Sequence, residues 1–399
     1  MPVIVIDPGH GGESLGGNID NRIERDIDLI TAFAMKERLE EYEDVEVYLT
    51  REDNESKELT RKERFEFAKE KNADFLYSIH YNMSESHTLF GSEVWICSEG
   101  PNYSYGMSFA RIEMEELTSM GLFDRGIKCK QDKKGGEYYG ILKYSQEYNI
   151  PAVIIEHCHL DEERDSAFWN TEAYRNFGIK DADCVAKYYG LHSDSLGIDY
   201  SNYIREDIPV PASQVQPDLT GPDYCNLSIL ENTDLTATCS IESADTDTYV
   251  QYYSYSVDGG FSWSELFPWE DRSVTKQTFN VNLSEKGPLN LCVQTMNMYD
   301  ISTVSNTVML PQAVIEIPEE ESESFDSANE FETYEEVVIE SGENVATKDN
   351  SISGILIFLL IILFIAITSF FAALIVNYKI KKGNVKKTTG KTSNVHKNR

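Results

Sequence analysis

The feature that most restricts the fold is a set of three short apolar segments, each leading to a polar side chain. Residues 3–7 read as a buried strand and lead through a glycine-rich turn to His10. Residues 75–80 and 152–156 follow the same pattern and end at a histidine and a glutamate. Because ligands gather at the carboxyl ends of strands in open α/β sheets, we expect these three polar side chains to converge.

Strand and helix signals alternate through residues 1–191. Apolar residues recur at helical spacing after the first strand, and residues 60–71 read as a helix between strands at 45–50 and 75–80. A further strand is indicated at 92–97. This alternation predicts an α/β fold with a layered, largely parallel sheet.

The composition changes after residue 191. Residues 192–222 are polar and contain four prolines, which predicts a linker. Residues 223–311 show short strands of period two and a turn signal at Asp258-Gly259, typical of an all-β, immunoglobulin-like sandwich that spaces or binds. Residues 312–350 are strongly acidic and predict a solvated, disordered stalk.

An uncharged run at 354–376 is 23 residues long, which is enough to cross a bilayer. We therefore expect one transmembrane helix at 351–377 and a basic cytoplasmic tail at 378–399. The acidic part of the chain that precedes this helix would then lie on the outer side of the membrane, anchored by a single span. No signal peptide precedes the first strand, so this orientation predicts an upstream leader that the sequence lacks.

The overall charge argues against nucleic acid as a partner. The 399 residues include 68 acidic and 35 basic side chains, a net charge of -33, whereas phosphate binding needs a basic face. The seven cysteines show no CxxC spacing, so neither a zinc ribbon nor a disulfide framework is indicated.

A fourth candidate is Glu24, which opens the helix after the glycine-rich loop and could return to the edge that carries His10 and His80. It could equally be an acid that favours the helix dipole, a role that suits Asp26 better. Two histidines and one carboxylate form the ligand set of a catalytic zinc with an open fourth position. Glu156 would then be free to transfer a proton during metal-assisted amide hydrolysis.

The order of the motifs adds a specific resemblance. The stretches VIVIDPGHGG, IERDIDL, LTRKERFEFAKEKNADFLYSIHYN, GSEVW, RGIK and IPAVIIE resemble those of the zinc-dependent N-acetylmuramoyl-L-alanine amidases of the amidase-3 type, which are cell-wall hydrolases. The likeness covers residues 1 to about 191. It implies a twisted, mostly parallel sheet with helices on both faces. It also implies that His10, Glu24 and His80 bind Zn²⁺ and that Glu156 is the catalytic glutamate.

The implied reaction is hydrolysis of the amide between N-acetylmuramic acid and L-alanine in peptidoglycan, which places the catalytic part on the wall side of the membrane. Asn82 and Arg125 lie in matching stretches but receive no role. One departure follows Glu156, where the family usually has a small and an aromatic residue and this chain has His157 and His159. Both side chains are expected on the face of the strand opposite Glu156. There they would form part of the wall or surroundings of the site, or one of them would occupy the open fourth position on the metal.

Two alternative functions stay open at this point. One is an inactive amidase-fold protein that binds or senses wall fragments. The other is a zinc hydrolase of a different amide, such as that of a free muropeptide.

Overall fold

The computed structural model describes residues 1–233, 236–282 and 289–310, which all lie in one compact unit, Met1–Pro318. The predicted stalk, transmembrane helix and basic tail lie outside the described residues. Within the residues that are described, no helix has the length and apolar character needed to cross a membrane.

The α/β part of the chain contains five α-helices and a short 3₁₀ helix at Glu163–Phe168. Its elements in chain order are β1 (Val3–Pro8), β2 (Asn18–Ile19), β3 (Arg22–Ile23), α1 (Glu24–Leu39), β4 (Glu46–Leu49), α2 (Arg61–Glu70), β5 (Phe75–Asn82), β6 (Ser92–Ile96), α3 (Gly100–Ser119), β7 (Asp124–Lys128), α4 (Gly140–Tyr148), β8 (Ala152–His159), α5 (Thr171–Tyr189), β9 (His192–Ser193) and β10 (Ile198–Asp199).

Six strands form the central sheet in the order β4-β1-β5-β8-β6-β7. Every neighbouring pair is parallel except β6 and β8, so the prediction of a mostly parallel sheet is confirmed. Ile4 and Ile6 of β1 pack in one core with α1, α3 and α5, whereas Val5 packs in another with α2 and α4. Helices therefore cover both faces, as the alternation of side chains along a strand requires.

Local chemistry explains how two helices begin. At the start of α2, the Thr60 side chain accepts a hydrogen bond from the Glu63 backbone, and the Glu63 carboxylate accepts one from the Thr60 backbone. This capping box satisfies two amide groups that the helix leaves free. Helix α1 has no such side-chain cap at Ile23, and its first residue, Glu24, faces the candidate site instead.

The later part of the chain is all-β, as predicted. Its strands are β11 (Tyr224–Asn232), β12 (Thr236–Ala244), β13 (Val250–Ser256), β14 (Phe267–Pro268), β15 (Lys276–Asn282), β16 (Leu289–Asn297), β17 (Ser302–Val304) and β18 (Val308–Leu310). Among these strands, β11, β12 and β15 form one antiparallel sheet and the other five form a second. The two sheets share a core that includes Cys239, Trp269 and Val293. We call this part the β-sandwich.

The segment predicted as a linker contains no helix or strand between Asp199 and Tyr224, but it is hydrogen-bonded to the α/β part. The Val215 backbone donates to the Ser98 carbonyl over 2.8 Å and its carbonyl accepts from Gln131 over 2.7 Å. The connection therefore lies along the surface of the α/β part.

Candidate metal centre

The turn after β1 has a backbone that few residue types adopt. His10 has φ of 60°, and Gly11 and Gly12 that follow it have φ of 132° and 54°. A left-handed backbone is uncommon for a residue with a side chain and often marks a functional position. The turn directs the His10 imidazole into a cavity at the carboxyl edge of the sheet.

Two arginines hold this turn through its carbonyl groups. Arg64 of α2 donates to the carbonyls of Pro8 and His10 over 2.9 and 2.6 Å. Arg51 donates to the Gly9 carbonyl over 2.7 Å. Charge-assisted hydrogen bonds of this kind are stronger than neutral ones, so they fix a turn that has no regular secondary structure of its own.

Three of the predicted site residues converge on one point. Glu24 Oε1 lies 3.0 Å from His10 Nε2 and 2.9 Å from His80 Nδ1. The same carboxylate accepts hydrogen bonds from the backbone amides of Gly17, over 2.6 Å, and Tyr81, over 3.2 Å. These amides hold the carboxylate between the two imidazoles.

Asp28 completes the group, although the sequence analysis did not single it out. One donor atom from each of His10, Glu24, Asp28 and His80 lies within 4.8 Å of the others, and we call these four residues the His-Glu cluster. Asp28 is fully buried, and neither of its carboxylate oxygens has a hydrogen-bond partner among the described residues. Burial, and then the charge of Glu24, raise the pKa of Asp28 well above its usual value.

The cluster suits a bound cation. Burial alone would raise the pKa of Glu24, but its contacts with His10 and His80 outweigh that effect and lower it. Burial lowers the pKa of His80, so its ring tends to be neutral, which is the form that binds a metal. Gly16, with φ of 67°, leaves room for these groups, because a Cβ there would collide with Glu24 Oε2 and the His10 ring. Buried carboxylate oxygens without partners and two nearby imidazoles fit a metal ion.

Glu156 lines the same cavity, which has a volume of about 490 Å³ and also reaches Asn82, Arg61 and Tyr139. The strand register pairs Glu156 with His80 on β5 and with Glu93 on β6. Burial, followed by the charges of Glu24 and Glu93, raises the pKa of Glu156 well above its usual value. A buried carboxyl group with a raised pKa holds a proton more readily than a free one, which suits acid–base chemistry.

His157 and His159 do not belong to the cluster. His157 is fully buried; its Nδ1 lies 3.1 Å from the His80 carbonyl oxygen and its Nε2 lies 3.0 Å from Asp181. His159 is also buried, with its Nδ1 3.1 Å from the Gly91 carbonyl oxygen. Neither ring is among the residues that line the cavity, and each has its hydrogen-bond partners away from the cluster's donor atoms.

The structure thus brings His10, Glu24 and His80 together and places Glu156 in the same cavity. The residue that sequence reasoning missed, Asp28, carried a readable signal. It lies four positions after Glu24 on α1, so both carboxylates face the same side of the helix.

Comparison with known proteins identifies the α/β part. Residues 4–186 match the amidase-3 family, described as N-acetylmuramoyl-L-alanine amidase. The N-acetylmuramoyl-L-alanine amidase CwlM of Bacillus licheniformis is 30% identical over 201 residues, which cover 50% of this chain and 73% of that protein. The sporulation-specific N-acetylmuramoyl-L-alanine amidase of Bacillus subtilis is 29% identical over 175 residues, or 44% of this chain and 62% of that protein.

One of the solved structures that match this chain is the catalytic domain of the N-acetylmuramoyl-L-alanine amidase CwlV from Bacillus (Paenibacillus) polymyxa var. colistinus. It is 26% identical, covers 47% of this chain and 98% of that domain, and gives a TM-score of 0.41. The family match spans every member of the His-Glu cluster and Glu156. The chain is therefore a member of the amidase-3 family of N-acetylmuramoyl-L-alanine amidases.

Proposed function

We propose that this chain is a zinc-dependent peptidoglycan hydrolase that cleaves the amide between N-acetylmuramic acid and L-alanine of the stem peptide. The observation that carries the proposal is the convergence of His10, Glu24 and His80 beside a cavity lined by Glu156. Family membership supplies the substrate class.

His10, Glu24 and His80 would hold the metal, and Asp28 adds a second carboxylate to the same cluster. Zn²⁺ bound by such residues supplies Lewis acidity, which polarises a carbonyl group and makes water easier to deprotonate. The backbone amides of Gly17 and Tyr81 orient the Glu24 carboxylate, so the ligands are arranged before the metal arrives.

Glu156 is the group that moves the proton. No described residue donates a hydrogen bond to its carboxylate, so it is available to a water molecule or the substrate in the cavity. It would accept a proton as water attacks the lactyl carbonyl carbon, and return it to the alanine nitrogen as the carbon–nitrogen bond breaks. The products are the glycan with a free lactyl carboxylate and a peptide with a free amino terminus.

We also propose, on the sequence alone, that the catalytic part works on the outer side of a membrane to which the chain is anchored by one span. Peptidoglycan is an extracellular polymer, so a catalytic part in the cytoplasm would not reach it. Protease added to intact cells should digest the α/β part if this orientation holds, and should leave it intact if the part faces the cytoplasm.

The reaction can be tested by product analysis. The full chain, loaded with zinc, should release peptides that begin with L-alanine from purified peptidoglycan, detected by mass spectrometry, and removal of the metal with a chelator should stop the release. Intact sacculi and soluble muropeptides should be compared, because cleavage of the soluble fragments alone would favour a free muropeptide as the substrate. Binding of either without cleavage would favour a wall-sensing protein and contradict the proposal.

A further inference from the structure

The β-sandwich packs against the α/β part at β7, an edge strand that β6 separates from the Glu156 strand β8. Gly126 of β7 has φ of 98°, and a Cβ there would lie 2.5 Å from Met298 Sδ and 2.6 Å from Tyr249 Oη. The backbone of β7 thus approaches the β-sandwich too closely for a side chain. Beside it, Arg272 of the β-sandwich donates to Asp124 over 2.8 Å.

Arg125 lies at the centre of this contact and is 1% exposed. Its Nε donates to Glu93 Oε2 over 3.0 Å within the α/β part. The β-sandwich supplies the other partners: Tyr252 Oη at 3.1 Å from Nη1 and Asp300 Oδ2 at 2.9 Å from Nη2. Tyr252 in turn donates to the Phe90 carbonyl over 2.7 Å. The Arg125 guanidinium is therefore held by residues of both the α/β part and the β-sandwich.

The β-sandwich also completes the charge balance. Lys128 Nζ lies 2.6 Å from Glu93 Oε2, so Glu93 faces two buried cations, Arg125 and Lys128. Glu93 provides one negative charge and Asp300 provides the second. We call Glu93, Arg125, Lys128 and Asp300 the Glu93 cluster. Without Asp300, two buried cations would share the single negative charge of Glu93, which is costly.

The other oxygen of Glu93 connects this cluster to the cavity. Glu93 Oε1 accepts hydrogen bonds from Asn82 Nδ2 over 2.9 Å and from Trp95 Nε1 over 3.0 Å. Asn82 lines the cavity, and its Oδ1 accepts from the Met83 backbone over 2.9 Å. Both contacts fix the amide plane and leave one amide N–H of Asn82 free for a ligand.

We infer that the β-sandwich is part of the substrate-binding apparatus. Asp300 and Tyr252 act as positioning residues that hold Arg125 and, through it, Glu93. Glu93 fixes the amide of Asn82, whose remaining N–H donates to a carbonyl oxygen of the muramoyl-peptide substrate. This inference rests on the proposed function for its substrate class, and it assigns the β-sandwich a role beyond that of a spacer.

The test uses the full chain with Asp300→Asn and Tyr252→Phe. Asparagine keeps the size of Asp300 and tolerates its left-handed backbone, with φ of 62°, while removing the charge. KM for a soluble N-acetylmuramoyl dipeptide should rise about fivefold, the effect of losing one neutral hydrogen bond, with kcat nearly unchanged. A smaller folded fraction would lower the apparent kcat but leave KM alone.

Two comparisons make the test specific. Asn82→Ala should raise KM by at least this factor, and combining it with Asp300→Asn should add little, because both changes act on the same substrate contact. Arg272→Gln weakens another ion pair in the same contact, with Asp124, and should leave KM unchanged. Zinc content should be equal in all variants, since none of these residues belongs to the His-Glu cluster.

A binding measurement separates this inference from the proposed function. In a Glu156→Gln background, calorimetry with the same dipeptide should show a similar loss of affinity on Asp300→Asn. Weaker binding together with an inactive wild type would contradict the proposed reaction and still support the inference. An active wild type whose KM and dipeptide affinity do not change with Asp300→Asn or Tyr252→Phe would overturn it.

Discussion

The His-Glu cluster lies within the α/β part, whereas the Glu93 cluster takes Asp300 from the β-sandwich, and the charges of the two clusters are balanced in different ways. Glu93 has two cations within hydrogen-bond distance, and both of its oxygens are used. In the His-Glu cluster, Glu24 contacts two imidazoles and Asp28 has no partner among the described residues. Burial is similar in both clusters, so the lack of a cation is what distinguishes a candidate metal site from a structural ion cluster.

The largest expected effect is on zinc affinity, which should depend on the His-Glu cluster. His80→Ala removes one of two imidazoles and should weaken zinc binding by more than about 100-fold, because losing a ligand costs more than losing the groups that support it. Isothermal titration with zinc measures this directly. His192→Ala, which changes a half-exposed histidine outside the cluster, should bind zinc normally. Equal affinity in the two variants would show that His80 is not a ligand.

The next effect concerns stability. Arg125→Met breaks the buried pair with Glu93 and removes the partner of the partly exposed Asp300, so it should lower the free energy of unfolding by about 3 kcal/mol, the lower end of the cost of breaking a buried pair. Urea unfolding at neutral pH measures the change. Arg175→Met removes a half-exposed pair with Glu37 and should cost less than about 1 kcal/mol. Equal losses would mean that the Glu93 cluster contributes no more than a surface ion pair.

The pH dependence of stability tests the surroundings of the Glu93 cluster. Burial, aided by the charge of Arg125, lowers the pKa of His159 to about 3. Below about pH 6.5 the unfolded chain binds a proton there and the folded chain does not, so acid destabilises the fold. Between pH 7 and 5 this should cost about 2 kcal/mol.

His159→Gln should remove this part of the acid sensitivity, as measured by urea unfolding at several pH values. Asp165 works in the opposite direction, because burial raises its pKa to about 6 and its contribution to stability is lost as the pH rises through that value. Asp165 is present in both proteins and keeps its hydrogen bond from the backbone of residue 159, so the comparison reports mainly on the imidazole. Identical pH profiles would indicate that His159 is protonated in the folded chain.

The smallest effect concerns Asp28. Asp28→Asn keeps the shape of the side chain but removes a carboxylate that could offset the charge of a bound metal, so zinc affinity should fall about tenfold. Titration with zinc is again the measurement, and Asp26→Asn on the same helix turn, which is half-exposed, is the matched control. An affinity unchanged by Asp28→Asn would confine the site to the other three residues.

The sequence predicted the candidate site better than its surroundings. His10 and His80 follow from strand ends, and Glu24 from the helix that comes after the glycine turn, because these signals are local. The role of Arg51 and Arg64 in holding that turn was not predicted, since their targets are backbone carbonyls that carry no sequence signal. Helix α3, at Gly100–Ser119, was also missed.

The contact between the α/β part and the β-sandwich could not be predicted from the sequence. Arg125 and Asp300 are 175 positions apart, and nothing in the pattern of either segment indicates the other. The polar, proline-containing residues 192–222 predicted a linker between the two parts, whereas in the structure this segment lies against the α/β part. Pairing between distant charged residues depends on how whole elements pack, which periodicity along one segment does not describe.

The central claim is that the His-Glu cluster binds the metal while Glu156 moves the proton, and one paired measurement tests it. Zinc content and release of peptide from labelled peptidoglycan should be determined for the full chain and for Glu156→Gln. The account predicts one zinc per chain in both proteins and a loss of release of about 100-fold or more in the variant, as expected when a general acid–base is removed. Full activity in Glu156→Gln, or loss of its zinc, would contradict it.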